Sequence, residues 1–216
     1  MKKKYLLILA LCIGSYALQG QISKESILIG GDFSVYHIDQ EAVSGTEYKS
    51  NGIVFSPLIG VATRQNIIQG GYLQVWYSKN NYNINPGTTK TSNIGGGYFI
   101  RKYTVIKNNF YGFIQANAGV TYFKNKVEQN SGSSESTQAS IGIFLVPGLS
   151  YRISKKLHLE AGLREIAGIG YSVIKNNSTG QSGNDISEVN QIYFNSSLDN
   201  FNANLYFGFR LLLDKK

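Results

Sequence analysis

From Phe201 to Leu213 the chain alternates strictly. Phe201, Ala203, Leu205, Phe207, Phe209, Leu211 and Leu213 fall on one side, with Asn200, Asn202, Asn204, Tyr206, Gly208 and Arg210 on the other. A period of two is the signature of a strand with two unlike faces. The stretch before the tight turn at Ser154-Lys155-Lys156 repeats it, with Ile141, Ile143, Leu145, Leu149, Tyr151 and Ile153 set against Ser140, Gly142, Gly148, Ser150 and Arg152. After that turn, Leu157, Leu159, Ala161 and Leu163 oppose His158, Glu160, Gly162 and Arg164. No segment beyond residue 20 carries helical periodicity.

Five noisier strands precede these, near 26–37, 52–62, 67–78, 92–102 and 110–124. The first sets Ile27, Ile29, Phe33 and Val35 against Gly30, Asp32 and Ser34; the fifth sets Ile114, Ala116, Ala118 and Val120 against Gln115, Asn117 and Thr121. The connections alternate in length. Those near 63–66, 103–109 and 154–156 are short, while those near 38–51, 79–91, 125–138 and 175–199 are long and rich in Asn, Ser, Gly and Thr. The expected fold class is therefore all-β, an eight-stranded antiparallel up-and-down barrel with the short turns and both termini at one end. That is the topology of a transmembrane barrel of the bacterial outer membrane.

The orientation of the two faces follows from solvation. Asn, Gln, Gly, Ser, Arg and Glu make a poor dry core, because each buried polar group needs a partner. Around a polar lumen they pair, the aliphatic face meets lipid, and closure satisfies the backbone. Gly30, Gly60, Gly70, Gly95, Gly97, Gly119, Gly142, Gly148, Gly162 and Gly208 fall on the inward set, as suits a narrow interior filled by side chains. Tyr77, Tyr122, Tyr151 and Tyr171 sit near strand ends, where interfacial aromatic girdles form. Glu165 breaks the pattern of the seventh strand; a bulge near Arg164-Glu165 or a position beyond the membrane would each accommodate it.

Met1-Lys2-Lys3-Lys4 followed by an apolar run from Tyr5 to Ile13 has the form of a secretory leader, with cleavage near Ala17 or Gly20. Its apolar core is far short of the roughly 20 residues of a spanning helix. The domain expectation is thus a cleaved signal peptide over 1–20 and a barrel domain over 21–216. Cys12 is the sole cysteine. In a lipoprotein it would be the modified residue, although Leu11 is large for the position before it. In a cleaved leader it departs, and the mature chain has no disulfide. Loss of Lys2, Lys3 and Lys4 lowers the formal charge from +8 to +5. The remaining cations are dispersed, which argues against nucleic acid.

The chain resembles the Bacteroidetes-type outer-membrane β-barrel family, within the OmpA/OmpX-like eight-stranded group. The carriers are the leader ending Gln19-Gly20-Gln21, the elements Ser56-Pro57-Leu58-Ile59-Gly60 and Val146-Pro147-Gly148, and the Phe207-Gly208-Phe209 closing strand. Many such barrels end on an aromatic residue. This one ends Leu213-Asp214-Lys215-Lys216, leaving Phe207 and Phe209 to serve that role. The resemblance implies an integral outer-membrane protein in contact with outer-membrane lipid or lipopolysaccharide and with the barrel assembly machinery.

No catalytic, cofactor or metal site is expected. His37 and His158 are the only histidines and fall at opposite barrel ends, and His37 with Asp39 and Ser34 is the sole candidate for a nucleophilic group. The residues expected to carry the interior are Asp32, Arg101, Arg152, Glu160, Arg164 and Arg210, either as a network that plugs the lumen or as the lining of a narrow ion path. Eight strands leave little bore, which favours the plug. Lys49, Lys79, Lys90, Lys124, Lys126 and Lys175 fall in the long connections, beside anionic head-groups or in solvent. The functional expectation is a non-enzymatic barrel serving envelope integrity or presenting loops to an extracellular partner. A small pore and a secreted, lipocalin-like barrel with its faces reversed are the alternatives.

Overall fold

Two of the expected turns explain why neighbouring strands fold back where they do. Asn66 and Asn108 adopt φ of 60° and 45°, the left-handed region that Asn tolerates better than most residues. In each case the ladder slips by one residue just before the turn, between Ala62 and Arg64 and between Val105 and Lys107. The two turns therefore share one design, a bulged residue followed by two turn residues.

The computed structural model describes residues 22–41, 47–82, 87–129, 132–163, 166–180, 183–196 and 205–214. The expected leader over 1–20 lies outside them, as do Arg164 and Glu165. Ten strands are described: β1 (Ile27–Glu41), β2 (Glu47–Arg64), β3 (Ile67–Tyr82), β4 (Gly87–Lys107), β5 (Phe110–Gln129), β6 (Gly132–Arg152), β7 (Leu157–Leu163), β8 (Ala167–Gly180), β9 (Gly183–Ser196) and β10 (Leu205–Leu213). All pairings are antiparallel. A closed circuit runs β1-β2-β3-β4-β5-β6-β7-β10 and back to β1. β8 and β9 extend it as a hairpin on the upper part of β6.

Ten strands stand where eight were expected: β7 and β10 are the expected seventh and eighth strands, and β8 and β9 form a further hairpin reaching through the stretch read as the 175–199 connection. Between Gly148↔Gly162 and Leu145↔Ala167, β6 advances three residues while the other side advances five. The register therefore shifts by two residues between the two ladders.

The long connections need correction. β1 continues to Glu41 and β2 begins at Glu47; β3 reaches Tyr82, β5 reaches Gln129, and β8 and β9 occupy most of 175–199. Most of these polar stretches are hairpin. Asn, Ser, Thr and Lys on both faces erase the hydrophobic alternation, yet backbone pairing needs none.

Outward side chains are apolar over a band of defined height. On β5 the outward series runs from Phe110 to Tyr122 through Ile114 and Val120 without a charge, and on β6 Tyr151 to Ala139 does the same. Twelve residues of strand rise about 40 Å, or roughly 30 Å along the barrel axis at the usual tilt. Tyr77, Tyr122 and Tyr171 edge the band at the hairpin end, and Tyr151 stacks on Phe110 at 4.7 Å at the turn end. Two exposed cations stand in the lower part of the band, Lys107 opposite Phe110 at its edge and Lys102 opposite Ile114 four residues inside it, and a lysine stem is long enough to carry its charge toward the rim.

The interior differs from expectation at the turn end. Leu28, Leu58, Ile68, Phe99, Tyr111, Phe113 and Leu212 pack there as a dry core. The segment before β1 seals it. Ile22 is buried and held by Asn66, its amide donating to Asn66 Oδ1 at 2.8 Å, while Ser26 donates to Asp214 at 2.7 Å. These apolar residues share their parity with the polar set, so alternation alone does not distinguish this core from a polar lumen.

Candidate functional site

Directly above this core, charged side chains from four strands converge. β4 brings Arg101, β7 brings Glu160, β10 brings Arg210 and β1 brings Asp32, all on the inward parity. The first three are almost completely buried. One Arg101 nitrogen, Nη1, lies 2.8 Å from both Glu160 oxygens, and Arg101 Nε donates to Gln115 Oε1 at 2.6 Å. Tyr103 donates to Glu160 at 2.8 Å. Arg210 Nη2 reaches Asp32 at 3.0 Å and Nη1 donates to the Gly31 carbonyl at 2.8 Å. Arg210 Nε sits 3.1 Å from Glu160 Oε2, an ion pair whose angle is off-line for a hydrogen bond.

Two guanidiniums therefore meet two carboxylates, and the cluster is neutral. Phe113 adds its ring face 4.3 Å from the Arg101 guanidinium carbon, a favourable contact for a desolvated cation. Glycines admit the large side chains. A methyl group at Gly30 would collide with the Arg210 stem, and one at Gly162 would come 2.6 Å from the Tyr206 ring. Above the cluster lies a cavity of about 70 Å³ lined in part by Asp32, Gln74, Gln115 and Tyr206, room for a few waters at most.

Of the six residues expected to carry the interior, the structure brings Asp32, Arg101, Glu160 and Arg210 together. Arg152 stands apart near the turn, where it donates to Asn109 Oδ1 at 2.9 Å; Arg164 is outside the described residues. Tyr103, Gln115 and Tyr206 were missed. Tyr103 fell in a stretch read as a connection, yet β4 runs on to Lys107. Gln115 and Tyr206 carried the inward parity but no charge.

The two histidines lie outside this cluster. Ser150 Oγ lies 3.1 Å from His158 Nδ1, but both are buried and His158 Nε2 has no partner. A buried pair of this kind is closed to a substrate arriving from solvent. His37 faces outward and meets Asn51 at 2.7 Å, while Asp39 lies 3.7 Å from Lys49; the Ser34 side chain is outside what is described. Among the described residues no three His, Cys, Asp or Glu side chains gather as metal ligands.

No family model and no curated protein matches the chain in sequence. Three solved structures resemble it in shape. A major outer membrane protein from Thermus thermophilus is 12% identical over 90% of this chain and 100% of that one, with a TM-score of 0.49. Neisserial surface protein A is 14% identical over 89% and 99%, with a TM-score of 0.35. The translocator domain of autotransporter NalP from Neisseria meningitidis is 15% identical over 98% and 94%, with a TM-score of 0.40. All three scores fall below 0.5, so the functional reading rests on the chain's own geometry.

Proposed function

We propose that this chain is an integral β-barrel of the bacterial outer membrane, spanning it with the eight strands of the closed circuit, and that its role is non-enzymatic. The observation that carries this reading is the apolar outer band, roughly 30 Å high, which matches the thickness of a bilayer core. A soluble lipocalin-like barrel would present charge there. The interior is a plug. The neutral Arg101–Glu160–Arg210–Asp32 cluster lies over the apolar core at the turn end and fills the lumen at that level. Above the membrane the strands continue as paired hairpins, which serve envelope integrity or contact with an extracellular partner. Insertion by the barrel assembly machinery and contact with outer-membrane lipid follow from this reading.

The test is membrane fractionation with boiled and unboiled samples on a denaturing gel, followed by planar-bilayer recording of the purified protein. An outer-membrane protein with a heat-dependent mobility shift and a silent bilayer is expected. A soluble protein without a shift would overturn the membrane reading. Discrete conductance steps would overturn the plug and make the chain a small pore.

A further inference from the structure

The outer surface of β3 to β6 departs from the rest of the band in two ways. The first is a row of like charges. Lys79 stands opposite Lys90, and Lys90 opposite Lys126, so three outward ammoniums occupy adjacent strands spaced about 4.8 Å apart. Like charges directly opposite one another destabilise a sheet. Lys124 joins them one outward position nearer the band. Among the described residues two carboxylates answer these four cations: Glu128 contacts Lys90 at 3.2 Å and Lys126 at 2.7 Å, and Glu135 contacts Lys124 at 2.7 Å. Among the described residues no acidic group pairs with Lys79. The flanking cations each meet a carboxylate, Lys49 on Asp39 and Lys175 on Glu188.

The second is a groove just below this row. Outward Gly96 lies between Leu73 and Val120 in the ladder, and with no side chain there the surface sinks. The groove measures about 840 Å³ and is walled by Leu73, Ile94, Val120, Tyr122 and Ile141. That is the size range of small-molecule sites, and its lining is almost wholly apolar. Lys124 is two residues above Tyr122 and Lys90 four above Ile94, about 7 and 14 Å along the strands. An excess of positive charge at the membrane edge above an apolar furrow is complementary to one kind of molecule.

We propose that this face binds a single phosphorylated lipid, with its phosphate on the Lys79–Lys90–Lys126 row and an acyl chain in the groove floored by Gly96. The site rests on the membrane reading above. It adds a defined, stoichiometric lipid to what would otherwise be a uniformly solvated wall. Phosphate supplies the missing counter-charge, and the acyl chain fills a concavity that convex neighbouring side chains cannot.

The experiment is native mass spectrometry of the full-length mature barrel, refolded in detergent and titrated with phosphatidylglycerol or phosphatidylcholine. A gel mobility shift is read on every sample. The wild type should retain one phosphatidylglycerol and bind phosphatidylcholine more weakly. K79Q/K90Q/K126Q should weaken phosphatidylglycerol about 100-fold, from roughly fivefold per lysine near an anionic head-group. The charge-matched control K102Q/K155Q/K156Q, at the turn end, should bind like the wild type. Ala139→Trp, which fills the groove edge without altering charge, should also lose the adduct. Equal retention by K79Q/K90Q/K126Q, or equal loss in the control, would overturn the site. So would unaltered binding by Ala139→Trp, or displacement by millimolar inorganic phosphate, which would mark a simple anion patch. If the wild type shows no heat-dependent shift, the membrane reading itself fails, and the gel records that separately from lipid loss.

Discussion

Glu160→Gln removes the carboxylate shared by both buried guanidiniums. Glu160 pairs with Arg101, lies against Arg210 Nε and accepts from Tyr103. Asp32 still neutralises Arg210 after the change, so one uncompensated charge remains, on Arg101. Breaking one side of a buried pair costs about 3–5 kcal/mol. The amide oxygen can still accept from Tyr103, which places the expectation near the lower end, about 3 kcal/mol, or roughly 150-fold in the folding equilibrium. With a urea slope of roughly 2–3 kcal/mol per molar for a chain of this size, the unfolding midpoint should fall by about 1–1.5 M. Trp76, the single tryptophan, reports the transition in refolded, lipid-embedded protein. Arg101→Met combined with Glu160→Leu removes both charges and should lose less stability than Glu160→Gln alone, because a matched apolar pair needs no counter-ion. A midpoint for Glu160→Gln within about 0.2 M of the wild type would mean that water reaches the cluster, and the account of a dry, neutral plug would fail.

Three other expectations are simpler. Ile143→Arg places a charge in the middle of the outward band and should cost about 2–4 kcal/mol in bilayers, whereas Ile186→Arg on the exposed β9 should be near neutral; equal effects in urea titrations would contradict the assigned membrane span. Asn66→Ala forces a Cβ-bearing residue without a side-chain acceptor into a left-handed turn and releases the Ile22 amide, so the refolded protein should lose about 1–2 kcal/mol. The Glu128 carboxyl, hydrogen-bonded by Lys126 and then Lys90, is held below its ordinary value of 4.5. Its contribution is therefore present above that value and fades as pH falls through the lowered one. The difference in unfolding midpoint between wild type and Glu128→Gln should vanish in strong acid, and a difference that grew on acidification would reverse the assignment.

The readable parts of the sequence were those where one face is apolar and the other is not. β6, β7 and β10 show it residue by residue, and their inward charges Glu160 and Arg210 could be named from parity alone. Three kinds of residue escaped. Leu28, Ile68 and Phe99 line the sealed interior, so both faces of their strands are apolar at that level and alternation no longer separates them. The hairpin extensions such as Thr88–Lys90 with Lys126–Glu128 are rich in polar side chains, so they resemble loops although the two strands pair residue for residue. The Lys79–Lys90–Lys126 row is a property of register between strands. Lys90 and Lys126, 36 positions apart, become neighbours only once the ladder is known, and no local pattern announces that.

The seam between β1 and β10 joins Ile27 to Leu213 over only five residue pairs, where β5 and β6 share twenty. The steps from β1 to β7 can each form as the chain emerges, every strand zipping onto its predecessor. This one brings together opposite ends of the polypeptide. The circuit therefore stays an open, curling sheet with two bare edges until its last strand arrives, and a ladder among the shortest in the ring has the longest entropic reach to cover. Assembly of this protein is a problem of timing at one seam, and shielding those two edges until they meet is what any helper would have to provide.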